Sequence, residues 1–127
     1  MTDDLSLLTL PAGWYVYSEN DGVDPMKPGL YEWRIADVGS YIGKYGRIRR
    51  PTKEYGRNVI RLLNQKTYRR SNPEVYRRIH RELTNAHLEG RRIELIIIEN
   101  VDAEYINSRE KELIKLRGTL NGPIPTI

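Results

Sequence analysis

The sequence has no cysteine among its 127 residues. Disulfide bonds, thiolate metal sites and a cysteine nucleophile are therefore excluded, although this absence alone does not fix the compartment. Long apolar runs are also missing, since the longest one centres on Ile96-Ile97-Ile98 and is far too short to cross a membrane. The chain begins Met-Thr-Asp-Asp, unlike the basic head of a secretory signal. We therefore expect a cytoplasmic protein with no membrane segment.

The composition is that of one folded domain. With 39% hydrophobic and 30% charged residues the chain is globular rather than disordered, and its length allows a single modest core. Residues 1–27 carry little pattern beyond Trp14-Tyr15-Val16-Tyr17, a candidate edge strand, and a loop rich in Asp, Gly and Pro. We therefore divide the chain into an N-terminal extension, 1–27, and one domain, 28–127.

Apolar spacing and end signals predict the elements of that domain. Two short strand-like runs flank Asp37-Val38-Gly39, and a nearly continuous apolar run from Arg92 to Asn100 predicts a third strand. Three helices are predicted, from Thr52 to about Leu63, from Asn72-Pro73 to Gly90, and from near Asp102 to Gly118. These elements predict an α/β fold with an antiparallel sheet and three helices packed around it.

Each of the first two strand-like runs carries a tyrosine. A three-residue turn at Asp37-Val38-Gly39 pairs Ile35 with Tyr41, and alternation along each strand then puts Tyr31 and Tyr41 on one face. Gly43 has no side chain, which predicts open space between the tyrosines. The plainer interpretation is an ordinary hairpin whose tyrosines are core or rim aromatics.

Positive charge is concentrated in the middle of the chain. The net charge is +4, but the segment from Lys44 to Arg92 holds 15 basic residues against 4 acidic ones, with four tyrosines interleaved. Clustered arginines with aromatics are typical of nucleic-acid-binding proteins. The alternative is a solvated basic face on a layer of helices.

One carboxylate of the last predicted helix lies within the apolar arc of that helix. At 100° per residue from Ile106, Glu110 falls at about +40°, between Leu113 and Ile114, whereas Glu112 falls at about −120° on the solvent side. A carboxylate that faces a core is unfavourable unless it is paired or holds a metal. Glu110 is therefore either salt-bridged to one of the many arginines or a metal ligand.

Four of these features follow the order found in the GIY-YIG nuclease family. The triplets Gly29-Leu30-Tyr31 and Tyr41-Ile42-Gly43 resemble its two signature triplets, and Glu110 and Asn121 resemble its glutamate and the asparagine after it. The resemblance covers about residues 28–121. It implies a central three-stranded sheet flanked by three helices, and an endonuclease that hydrolyses phosphodiester bonds in DNA.

The resemblance also implies a role for each residue. Tyr31 would be the general base on the attacking water, Tyr41 would help to hold the water or the phosphate, and Glu110 would bind Mg²⁺ or Mn²⁺. A phenol with an ordinary pKa near 10 is mostly protonated at neutral pH. Lys44, nearby arginines and the metal would therefore have to lower the pKa of Tyr31 for base catalysis to be efficient.

The family's phosphate-binding arginine, at the start of the first helix, is not matched in register, because Pro51 occupies its place. We favour Arg57 over Arg50 for this role, since a cation fixed on a helix is better preorganised than one on a loop. Asn121 would pin the C-terminal segment near the active site, or is simply a turn residue.

Two other interpretations omit the chemistry. One is a catalytically inactive nucleic-acid-binding module of the same fold, and the other is a plain structural domain. Divalent-metal-dependent cleavage of DNA separates the nuclease from the inactive module. His80 and His87, in the second predicted helix, receive no role.

Overall fold

The computed structural model describes residues 8–64 and 77–122. Seven elements form an α/β fold in these ranges, and the predicted α/β class is therefore confirmed. In chain order they are β1 (Val16–Glu19), β2 (Gly29–Ile35), β3 (Gly39–Tyr45), α1 (Tyr55–Leu63), α2 (Arg78–Leu88), β4 (Ile93–Asn100) and α3 (Ile106–Arg117). None of the helices within the described ranges is both long and apolar enough to span a bilayer.

The four strands form one mixed sheet in the order β1-β4-β2-β3. The pairs β2–β3 and β2–β4 are antiparallel, as the sequence predicts for the central strands. The extension supplies β1, which pairs with β4 in the parallel direction, so the sheet has four strands and is not purely antiparallel. Because β2 occupies one edge of β4, the extension adds to the other edge and leaves β3 at the opposite edge of the sheet.

Alternation along the strands divides the core into two faces. Tyr31, Trp33 and Ile35 point to one face, where they pack with Val59 of α1 and Leu83 of α2. Strands β2, β3 and β4 present Leu30, Ile42 and Ile98 to the other face, where these side chains contact Leu113 of α3. The sheet therefore lies between α1 and α2 on one side and α3 on the other.

The β2–β3 turn differs from the predicted one. Ile35 pairs with Gly39 and Trp33 with Tyr41, so the three-residue loop is 36–38 rather than 37–39. Asp37 itself takes a left-handed conformation, with φ of 65°, which Asp tolerates better than most residues. The pairing moves by two residues, and because two is the period of a strand every side chain keeps its predicted face.

The helix ends follow the predicted signals only in part. A π-helical turn, Arg50–Glu54, precedes α1 and contains the predicted N-cap, Thr52, whose hydroxyl instead donates to the Ile48 carbonyl four residues earlier. The predicted start of the second helix at Asn72-Pro73 lies outside the described residues. Gly118 is the C-cap of α3, as predicted.

Candidate active site

The two tyrosines of the signature triplets share one face of the sheet. Tyr31 pairs with Gly43 and Trp33 pairs with Tyr41, so Tyr31 and Tyr41 are diagonal neighbours on adjacent strands. Their ring centroids are 6.5 Å apart. The predicted shared face is therefore present, and cooperation between the two phenols is geometrically permitted.

A chain of hydroxyl groups and one guanidinium connects these phenols. The hydroxyl of Tyr31 is hydrogen-bonded to that of Tyr55, at the start of α1, over 2.5 Å. Arg77, the N-cap of α2, donates from one nitrogen to the Tyr55 hydroxyl at 3.0 Å and from another to the Tyr41 hydroxyl at 3.1 Å. We call these four residues, Tyr31, Tyr41, Tyr55 and Arg77, the hydroxyl cluster.

The inner half of the hydroxyl cluster is closed to solvent. Tyr31 is 1% exposed and Tyr55 is 2% exposed. The Tyr31 ring fills the space above Gly43, where an added Cβ would overlap the phenol carbon that carries the hydroxyl. The predicted open space between the tyrosines at Gly43 is therefore absent, because the ring of Tyr31 occupies it.

Burial controls the protonation of the inner phenols. Loss of hydration raises the pKa of Tyr31 to about 12, with the neighbouring Tyr41 phenol adding to the rise. The hydrogen bond from Tyr55 and the charges of Arg77 and Arg50 act in the opposite direction but are outweighed. The pKa of Tyr55 is also raised well above 10, chiefly by burial. Both phenols are therefore neutral at pH 7, and the nearby arginines alone do not produce the lowering of the Tyr31 pKa that base catalysis would require.

The outer half of the hydroxyl cluster is open. Tyr41 is partly exposed and Arg77 lies at the surface. The Arg77 guanidinium lies 5.9 Å from the Tyr41 ring centroid and 5.5 Å from that of Tyr55, within cation–π range. Sequence reasoning did not single out Arg77, because no local pattern links the start of α2 to the β2–β3 hairpin.

The two arginines favoured from sequence lie elsewhere. Arg57 is an exposed residue of α1, in a groove of about 640 Å³ that also contains Leu10 and Trp14. Arg50 is exposed too, and its charge acts to lower the pKa of Tyr31, against the larger effect of burial. Neither side chain makes a hydrogen bond to a phenol of the hydroxyl cluster within the described ranges.

Lys44 and Glu110 lie on the α3 side of the sheet. Lys44 pairs with Leu30, so its side chain points away from Tyr31, and its ammonium donates to the Asn107 side-chain oxygen of α3. Glu110 lies three residues after Asn107 and three residues before the buried Leu113, within one helical turn of each. Glu110 therefore belongs to the helix that covers the sheet face opposite to the tyrosines.

The environment of Glu110 agrees with the helical-wheel prediction. Glu110 is partly buried, whereas the Glu112 side chain is 62% exposed and pairs with Arg109 at 3.1 Å. Glu110 itself makes no hydrogen bond or ion pair with any residue in 8–64 or 77–122, so the predicted alternative of an arginine partner is not found there. Those ranges also contain no group of three or more potential metal-ligating side chains.

Asn121 holds the C-terminal segment against the outer edge of β3. Its side-chain amide accepts from the Ile42 N–H and donates to the Ile42 carbonyl, both at 2.9 Å. The backbone N–H of Leu120 donates to the Ser40 carbonyl at 2.8 Å. The amide thus replaces a missing neighbouring strand, in the central segment of β3 that carries Tyr41 on one face and Ile42 on the other.

Two of the buried polar residues are His80, which receives no role from the sequence, and Glu32, which no sequence pattern singled out. His80 packs 5.1 Å from the Tyr55 ring and lies 3.2 Å from the Asn58 amide. Its pKa falls to about 3, first because of burial and then because of the charges of Arg77 and Arg50, so it stays neutral. Glu32, on the α3 face, is 2% exposed and is held by Ser40 and by two arginines, Arg34 and Arg117.

No family model, curated protein or solved structure matches the chain.

Proposed function

We propose that the protein is a metal-dependent endonuclease of the GIY-YIG type that hydrolyses phosphodiester bonds in DNA. The observation that supports this most is the outer half of the hydroxyl cluster, where a surface guanidinium and a phenol meet at the edge strand of the sheet. No carboxylate of the described residues ion-pairs with Arg77. A cation beside a hydroxyl, without an anionic partner, is suited to a phosphate group.

The burial of the phenols changes the roles that the resemblance implies. With a pKa of about 12, only about one Tyr31 phenol in 10⁵ is ionised at pH 7. We therefore assign Tyr41, the partly exposed phenol, to the contact with the attacking water or the phosphate. Tyr31 instead orients Tyr55 through their hydrogen bond, and Tyr55 in turn fixes Arg77.

Glu110 fits one ligand of a magnesium or manganese ion. Its carboxylate is partly buried and has no partner among the described residues, and such a group gains from a cation. Mg²⁺ keeps several waters and commonly binds through one or two carboxylates and substrate phosphates, so a single carboxylate suffices. When bound, the ion would supply charge neutralisation at the phosphate and a more acidic water.

Two groups of described residues in the basic segment differ in whether a carboxylate pairs with them. Arg78, Arg91 and Arg92 each lie within 4.0 Å of a carboxylate. Arg49, Lys53 and Arg57 instead have no carboxylate partner within the described part of the chain, and they are exposed at one-turn spacing along the start of the first helical segment. We assign these three to DNA backbone contact. Lys66, Arg69 and Arg70 of the basic segment lie outside the described residues.

A second candidate function is a catalytically inactive nucleic-acid-binding module. Two observations favour it: Tyr31 is sealed from solvent, and Glu110 lies on the helix that covers the opposite face from the tyrosines. Arg49, Lys53 and Arg57 would remain useful to such a module, while the hydroxyl cluster would serve only to hold α1 and α2 on the sheet.

Incubation with supercoiled plasmid separates the two functions. We expect nicked and linear DNA with Mg²⁺ or Mn²⁺ and none with EDTA. We also expect DNA affinity to fall steeply with salt, because phosphate contacts release counterions.

Replacing Arg49, Lys53 and Arg57 together by Ala should reduce the slope of log affinity against log salt concentration by about 2–3 units. Arg92→Ala, whose charge is paired with Glu94, is the matched control. Salt-dependent binding without cleavage under any metal would support the inactive module.

A further inference from the structure

The position that the resemblance gives to the phosphate-binding arginine is not available in this chain. Pro51, which stands there, is buried in the π-helical turn before α1 and has no cation to offer. Arg57 faces the groove beside Trp14. Arg50 lines a different pocket, together with Lys44 and Tyr45. A phosphate at Tyr41 therefore needs its cation from another element.

We propose that Arg77, at the start of α2, binds the substrate phosphate beside Tyr41. This inference rests on the proposed function and deepens it, because it moves the phosphate-binding cation from the first helix to the second. A guanidinium has five N–H donors. Two of them bind the hydroxyls of Tyr41 and Tyr55, and no hydrogen bond joins the other three to a residue in 8–64 or 77–122, so these three can serve an anion at the exposed end of the hydroxyl cluster.

The geometry fixes Arg77 before any ligand arrives. Two hydrogen bonds and two phenol rings hold its guanidinium, so little side-chain freedom remains to be lost on binding. An arginine is charged at every physiological pH. Among the residues that the structure describes, the groups that face it are phenols and the neutral ring of His80, and none of these neutralises the charge. The remaining attraction is therefore directed to an external anion.

A purely structural role is the alternative for Arg77. In that case the guanidinium only ties α2 to the phenols, and its loss lowers stability without a specific effect on phosphate. The two roles differ in three measurements: affinity for a small phosphate, cleavage rate by folded protein, and rescue by an added guanidinium ion. Rescue is the most discriminating, because a free guanidinium restores a missing donor but does not re-tether a helix.

The probe for the first measurement is thymidine 3′,5′-bisphosphate, titrated in EDTA against wild type, Arg77→Ala, Arg77→Lys and Arg92→Ala. We expect Arg77→Ala to weaken binding by about tenfold or more and Arg92→Ala to match wild type. Arg77→Lys should be intermediate, because lysine keeps the charge but lacks the planar set of N–H donors of a guanidinium. Thermal unfolding of each variant identifies the folded proteins to be compared.

The second and third measurements use DNA cleavage under single-turnover conditions. Arg77→Ala should lose about 10²-fold or more in rate, the range found when one preorganised donor is removed from a transition state. Added guanidinium chloride, at concentrations that do not unfold the protein, should restore part of that rate, whereas sodium chloride should not.

These arms separate the inference from the nuclease proposal. If wild type cuts DNA and folded Arg77→Ala cuts equally well, the Arg77 site is wrong and the nuclease stands. If no protein cuts but the bisphosphate binds in an Arg77-dependent way, the phosphate site stands and the nuclease is wrong. If wild type does not bind the bisphosphate, or if Arg77→Ala binds it as well as wild type does, the inference is overturned.

Discussion

Glu110→Ala is expected to lower the rate of DNA cleavage by at least about 10³-fold, since a metal ligand contributes several kcal/mol to transition-state stabilisation. DNA affinity should change by less than about threefold, because Arg49, Lys53 and Arg57 remain in place. The variant should also fold, since Ala removes a partly buried carboxylate that has no partner among the described residues. Single-turnover cleavage and equilibrium binding, measured on the same preparations, check both statements.

Glu112→Ala is the matched control for this variant. Glu112 lies two residues further along α3, its side chain is 62% exposed, and it pairs with Arg109 on the surface. Surface ion pairs contribute little to stability, so this variant should cut as wild type does. If Glu112→Ala is the inactive protein, or if Glu110→Ala cuts normally, the metal assignment fails.

Tyr41→Phe is expected to lower the cleavage rate by about 10²–10³-fold, because it deletes the hydroxyl that lies at the exposed end of the cluster. Tyr31→Phe should lose only about tenfold, since it removes one hydrogen bond to Tyr55 and leaves the contacts of Arg77 in place. Both substitutions keep the aromatic ring and should preserve the fold. Single-turnover rates at saturating DNA give the comparison.

The pH dependence of the cleavage rate tests whether Tyr31 acts as the general base. If Tyr31 had to ionise to act as the base, the active fraction would rise tenfold per pH unit from neutral pH up to its pKa of about 12. We expect Tyr31→Phe to keep the wild-type pH profile at a lower rate. The opposite result has two parts: the wild-type rate rises with pH and the Tyr31→Phe rate does not, and Tyr31→Phe loses more rate than Tyr41→Phe. That result would show that Tyr31 is the base.

Local periodicity predicted which face each candidate residue occupies. The shared face of Tyr31 and Tyr41 depends only on the two-residue period of strands. The prediction of this face is therefore correct, although the β2–β3 pairing differs by two residues from the predicted one. The partly buried Glu110 and the exposed Glu112 follow in the same way from the helical period. Such arguments need no knowledge of how the elements pack.

What the sequence could not predict depends on contacts between distant elements. Arg77 is 36 residues from Tyr41 in the chain, and no sequence periodicity predicts the hydrogen bond between them. Gly43 predicted a space, but whether a space stays open depends on the rotamer of the opposing Tyr31. The pKa of Tyr31 likewise depends on how completely α1 covers it, because burial outweighs the nearby cations.

The most direct test of a shared catalytic site is the coupling between metal and phosphate. Tyr41 and Arg77 lie on one face of the sheet and Glu110 on the helix covering the other, so the phosphate at Tyr41 and a metal ion at Glu110 must meet at the edge strand β3 for hydrolysis to occur. Ligands that share a site change each other's affinity, commonly by about 5–150-fold. We expect Mn²⁺ to raise the affinity for thymidine 3′,5′-bisphosphate by at least about fivefold in wild type and to have no such effect in Glu110→Ala. An equal increase in both proteins, or none in either, would contradict a shared site.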